Sequence, residues 1–165
     1  MRYSDMRQYD VSNWSGINAT IFFSGCWFKC KGCFNKKAQD FNYGKEYTKE
    51  EENRFIEMCK NEHVDGVCIL GGEVFQQDLN RVYTLVKRIK EEVNKPIHIW
   101  TGFLFEDLLI SHMCRRILTH VDTIVDGQFI LDKKDLSLRF RGSSNQRVID
   151  VQKSLSNNQV VLLEV

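Results

Sequence analysis

Four short apolar runs punctuate this chain, and each ends in a small or acidic step. Residues 19–24, 67–70, 97–100 and 122–125 are rich in β-branched and aromatic side chains. They show no polar alternation, which predicts strands buried within a sheet. The segments between them carry a helical period instead. Leu79, Val82, Val86, Ile89 and Val93 fall on one helical face. Thr48 with Glu51 forms a capping box that predicts a helix from residue 48 to about residue 61. A third helix is expected over 105–118. Near the C-terminus, residues 148–151 and 159–163 each have the composition of a further strand.

Strands alternating with helices imply βαβ units and a parallel sheet. Right-handed crossovers then bring the C-terminal ends of all the strands to one edge, where ligand sites of such folds lie. That edge would carry the loop after residue 24, Gly71-Gly72-Glu73, Thr101-Gly102 and Asp126-Gly127. Four or five strands are too few for a closed eight-stranded barrel. The expected architecture is therefore α/β, a partial, open (βα) barrel with parallel strands. With no repeat, no low-complexity tract and a single proline, Pro96, residues 1–165 are expected to form one domain.

Composition narrows the partners. Hydrophobic residues make up 42% and charged residues 27% of the 165, as in an ordinary globular protein. Lys and Arg number 23 against 22 Asp and Glu, so the basic excess of a nucleic-acid binder is missing. Residues 1–16 hold no apolar run of signal-peptide type, and no run has the length of a membrane span. The expected compartment is the cytoplasm, where thiols stay reduced. Of six cysteines, Cys59, Cys68 and Cys114 sit among apolar neighbours and read as small core residues.

The other three are clustered. Cys26, Cys30 and Cys33 follow the first strand with C-x₃-C-x₂-C spacing, on a loop rich in Lys and Gly. Soft thiolates at this spacing suit zinc, copper(I) or an iron–sulfur cluster. A structural zinc site wants four ligands, and the next histidine, His63, lies beyond a predicted helix. Three incidental core cysteines are the remaining reading, but this loop does not have the composition of a core. A [4Fe–4S] cluster ordinarily takes four cysteines, so three would leave one iron open to a substrate or cofactor.

This arrangement at the end of a first strand resembles the signature of the radical S-adenosylmethionine superfamily. Within it the chain is similar to the family that activates the anaerobic (class III) ribonucleoside-triphosphate reductase. The segments that carry the likeness are residues 24–35, Gly71-Gly72-Glu73, residues 100–102, residues 125–127 with Phe129, and residues 141–147. The resemblance implies a radical-SAM type of partial barrel and a [4Fe–4S] cluster held by Cys26, Cys30 and Cys33. It implies S-adenosyl-L-methionine chelated to the open iron and an external one-electron reductant. It further implies that the chain places a glycyl radical on the reductase, its protein partner, with no side chain acting as a catalytic group. By the same resemblance, Gly71, Gly72 and Glu73 would take the methionyl amino group. Gly32, Cys33 and Phe34 would lie at the adenine, and Thr101 and Gly102 beneath the ligand. Two departures stand out: Val74 replaces the family's common proline, and Trp27, Phe28 and Lys29 stand where a histidine is frequent. The competing functions are an activase for another glycyl-radical enzyme such as pyruvate formate-lyase, a non-enzymatic iron–sulfur protein, and a zinc-binding module. Arg141 and Arg147 flank a loop and can either clamp a carboxylate or form a solvated edge.

Overall fold

All four apolar runs become neighbouring strands of one seven-stranded sheet. The computed structural model describes residues 1–165. In chain order the main elements are β1 (Arg2–Asp10), β2 (Asn18–Ser24), β3 (Lys45–Glu46), α1 (Lys49–Lys60), β4 (Gly66–Gly71), α2 (Leu79–Arg88), β5 (Ile97–Trp100), α3 (Phe105–Leu108), α4 (His112–Leu118), β6 (Thr123–Asp126), β7 (Arg147–Asp150) and α5 (Val151–Asn157). The strand order is β3-β1-β2-β4-β5-β6-β7. β2, β4, β5 and β6 are parallel, as expected. β1 on one side and β7 on the other run antiparallel to them, and β3 pairs antiparallel with β1, so the sheet is mixed and open rather than parallel throughout.

The departures have local causes. β1 was not anticipated, because Arg2, Asp5, Arg7 and Asp10 break its apolar pattern; two register shifts against β2 let it keep Tyr3 buried and Met6 packed on the core despite those charges. Residues 159–163 do not form a strand; only Leu162 bridges to Ile149. The helix expected over 105–118 is broken, since Ser111 caps a new start by accepting from Cys114 N at 3.3 Å. α1 begins as foreseen, with Thr48 Oγ1 accepting from Glu51 N at 3.2 Å. The reciprocal half of the box is absent: the Glu51 carboxylate accepts instead from Tyr3 Oη and Arg54.

One sheet face is covered by α1, α2 and α4. Ile21, Phe23, Ile69 and Ile99 there meet Phe55, Ile56, Leu85, Val86 and Ile117 in the main core. Burying such side chains contributes roughly 1.5–3 kcal/mol each before the entropic cost of ordering them. Cys59, Cys68 and Cys114 are all buried free thiols. The opposite face has no helix. Phe22, Cys68 and Leu70 pack there with Trp14 and Trp100. Trp14 stacks on His98 at 4.3 Å and on Phe140 at 4.0 Å. Burial draws the His98 pKa down to about 4, keeping the ring neutral in this apolar stack. No helix is long and apolar enough to cross a membrane.

Candidate functional site

Because β2, β4, β5 and β6 are parallel, their C-terminal ends share one edge, and the chain leaving each end is tied to its neighbours. Gly72 N donates to Phe23 O at 2.7 Å and Glu73 N to Gly25 O at 2.8 Å, so the Gly-Gly step after β4 lies against the start of the cysteine loop. Gly71 has φ +126, and a Cβ there would strike the backbone of Phe23. A Cβ on Gly72 would meet Ala38 O at 2.6 Å and Gly25 O closer still. Only glycine permits this approach.

The loop that carries the cysteines is anchored at its root. Gly25 N donates to Ala38 O at 2.6 Å, Cys26 N to Gln39 O at 3.1 Å and Trp27 N to Gln76 Oε1 at 2.7 Å. Gln77 Nε2 donates to Gly25 O at 3.1 Å and to Glu73 O at 3.1 Å. Sequence reasoning missed Gln76 and Gln77; their only signal was position, just beyond Gly71-Gly72-Glu73. Beyond this root the chain turns through Lys29, with φ 49, and Gly32, with φ 77.

Cys26, Cys30 and Cys33 are partly buried free thiols on this one loop. No group of three His, Cys, Asp or Glu side chains is spaced to hold a metal ion. Burial pushes the Cys26 thiol up; backbone N–H groups of Phe28 and Lys29 pull against it. Burial also raises the Cys30 thiol, with the Cys33 charge adding to it and the Phe129 N–H opposing. Such N–H groups aimed at sulfur are one of the means by which proteins tune iron–sulfur centres. The donor set of three soft thiols on one short loop fits a polynuclear iron–sulfur centre with one position left to another ligand.

Glu73 is a buried carboxylate, 1% exposed. Its oxygens accept from Thr101 Oγ1 at 2.6 Å, Gly102 N at 2.7 Å and Phe75 N at 3.1 Å. The side chain thus points inward and clips the end of β4 to the end of β5, drawing Thr101 and Gly102 into the same edge. Gly102 faces the Phe28 ring, which meets Phe103 edge-on at 4.9 Å. Burial raises the Glu73 pKa to about 7, against the pull of its three donors. The folded chain therefore binds this proton more readily than the unfolded one. As pH falls from about 7 towards the ordinary value of 4.5, this group adds to stability, and ionisation above that window works against the fold. Denaturant unfolding of wild type and Glu73→Gln across the window checks this. Wild type should gain on the variant as pH falls, and a constant difference would refute the assignment.

The segment from Gly127 to Arg147 covers the loop from the other side. Cys30 Sγ lies 3.8 Å from Gln128 Oε1, and Gly32 sits beneath Leu131 and Phe129. This cover is fastened by Trp100 Nε1 donating to Phe140 O at 2.7 Å. Gln146 Oε1 accepts from Gly142 N at 2.9 Å, while its Nε2 donates to Gly127 O at 2.9 Å. Arg141 donates to Gln146 O at 3.0 Å. Arg147 is the clamp foreseen as one alternative, but on this chain's own carboxylates: Asp126 at 2.5 Å and Glu106 at 2.7 Å. Phe34 lies on the outer side of the loop and is 81% exposed. Two hollows flank the loop. One of about 510 Å³ is lined by Cys26, Trp27 and Phe41 among others, and one of about 570 Å³ has Cys33 and Phe34 in its wall.

Comparison with known proteins points to an iron–sulfur domain. A family model described as a 4Fe-4S single cluster domain matches residues 12–149. The anaerobic ribonucleoside-triphosphate reductase-activating protein of Salmonella typhi is 36% identical over 152 residues, covering 90% of this chain and 97% of that protein. Its namesake in Escherichia coli K12 is 35% identical over the same shares of the two chains. The namesake in Enterobacteria phage T4 is 30% identical, with 90% of this chain and 93% of the relative covered.

Proposed function

This chain belongs to the family of anaerobic ribonucleoside-triphosphate reductase-activating proteins, and we propose from that premise that it reductively cleaves S-adenosyl-L-methionine and places a glycyl radical on the reductase. It is an activating enzyme with an iron–sulfur domain. The observation that carries the finer reading is that the loop bearing three thiols, a glycine-walled strand end and the Glu73 clip meet at one sheet edge. We read the open sheet, with residues 1–165 as one domain, as the partial barrel of radical-SAM type.

Cys26, Cys30 and Cys33 would hold a [4Fe–4S] cluster. When bound and reduced by an external one-electron donor, that cluster supplies the electron that divides S-adenosylmethionine into methionine and a 5′-deoxyadenosyl radical, which removes hydrogen from the target glycine. The protein's share is binding, orientation and exclusion of water. Gly71 and Gly72, lacking side chains, let the end of β4 press against Phe23 and Gly25, and the backbone of this turn would take the methionyl amino group. The Glu73 carboxylate fixes that turn against Thr101 and Gly102 rather than reaching outward itself. Gly32, Cys33 and Phe34 offer backbone and ring surface to the adenine, and the cover from Gly127 to Arg147 shields the loop.

The test mixes reduced protein, S-adenosylmethionine and the reductase without oxygen. A glycyl radical should appear on the reductase by electron paramagnetic resonance, with 5′-deoxyadenosine formed alongside. Deoxyadenosine without a radical on the reductase, or modification of a small metabolite instead, would overturn the partner assignment and leave the cofactor chemistry standing.

A further inference from the structure

The helix-free face of the sheet is unevenly covered. Over β5 it is closed by Trp14, stacked between His98 and Phe140, and by Trp100. Over β1 and β2 the hollow of about 570 Å³ remains, within the ~300–1,000 Å³ range of ligand clefts. It runs from Cys33 on the cysteine loop to Arg7 on β1, with Asp5, Phe22, Lys36 and Lys37 in its walls. The Arg7 guanidinium lies 4.8 Å from the centre of the Phe22 ring and 2.9 Å from Asp5. Three cations thus face one carboxylate, on a surface with an aromatic floor.

That charge decides between occupants. S-adenosylmethionine carries a sulfonium, an ammonium and one carboxylate, and so a net positive charge; its adenine would reach only the Cys33–Phe34 end, and the cationic wall disfavours it along the stretch from Lys37 to Arg7. A peptide with acidic residues is favoured, because Lys36 and Lys37 have no carboxylate partner and Arg7 has only an exposed one. Resting on the function proposed above, we infer that the β1–β2 hollow receives an acidic segment of the reductase, which leads the target glycine to the cysteine loop. Arg7 and Lys37 then set recognition of the partner and take no part in cleaving the cofactor.

The holoenzyme, reduced by a chemical reductant so that no donor protein is needed, provides the test. In Arg7→Glu/Lys37→Glu the reductase concentration for half-maximal glycyl-radical formation should rise about tenfold or more, most strongly at low salt. Deoxyadenosine formed without the reductase should stay within about twofold of wild type, since neither residue is placed at the cofactor. Asp5→Asn, which removes the single acidic wall residue, should move the reductase requirement the opposite way. An unchanged reductase requirement in both variants would overturn the inference. So would an equal loss of deoxyadenosine formation without the reductase, because the hollow would then belong to the cofactor. Failure of the wild-type protein to form any glycyl radical would strike the proposed function instead.

Discussion

Alanine at Cys26, Cys30 or Cys33, one at a time, is expected to abolish the intact four-iron cluster and reduce glycyl-radical formation to background. The three thiols sit on one loop whose root is pinned by Gly25, Cys26 and Trp27, and losing any one leaves the centre two thiolate ligands. The loss should exceed the ~10–100-fold that mutation of an outer partner of a metal ligand typically brings. The other thiols do not qualify, Cys114 included, whose pKa burial also raises. Cys68 and Cys59 are buried in the sheet and in α1, and burial pushes their pKa values above the ordinary thiol range, Cys59 to about 12. Alanine at Cys59, Cys68 or Cys114 should keep the cluster and cost only about 1 kcal/mol of stability. Iron and sulfide counts after anaerobic reconstitution, with a spectrum of the reduced protein, separate the two groups. A full cluster in Cys30→Ala would break the ligand assignment.

The second large effect concerns stability. Asp126, wholly buried at the end of β6, accepts from Arg147 Nε at 3.0 Å, Arg147 Nη2 at 2.5 Å and Phe105 N at 2.8 Å. Arg147→Ala leaves that carboxylate in the interior with one N–H donor. Removing one partner of a buried ion pair typically costs about 3–5 kcal/mol. The Arg147 side chain is 30% exposed, so water can enter where it stood, and the lower end of that range is expected. Arg147→Ala/Asp126→Asn should recover much of the loss, because no charge is then stranded. Urea unfolding measures both. A loss below about 1 kcal/mol in the single variant would show that Phe105 N and entering water suffice for Asp126.

Legibility in the sequence followed from how each segment is solvated. The four parallel strands were readable because nearly all their residues are buried, whichever face they point to, which forces continuous apolar runs. β1 lies near the edge of the sheet, with Asp5 and Arg7 beside an open hollow, so its composition resembles a loop. The cysteine spacing announced its chemistry because ligand type and interval are themselves local. Thr101 and Gly102 were placed correctly at the sheet edge, but the inward turn of Glu73 was not legible: it depends on three donors contributed from two other places. Residues 141–147 read only as a loop with two arginines. What they contact, Asp126, Glu106 and Gly127, is a matter of tertiary position that no local pattern encodes.

The contact between Cys30 and Gln128 joins positions 98 residues apart. A ribosome adding about 5–20 residues per second delivers Gln128 roughly 5–20 s after Cys30. For that interval the thiols have emerged and their cover has not. Iron placed on the loop during synthesis would face solvent and oxidant without the shield of Phe129 and Leu131. Loading after the chain is complete, when the cover is available to close, would protect the centre. A nascent chain halted before residue 127 should bind iron weakly and lose it rapidly.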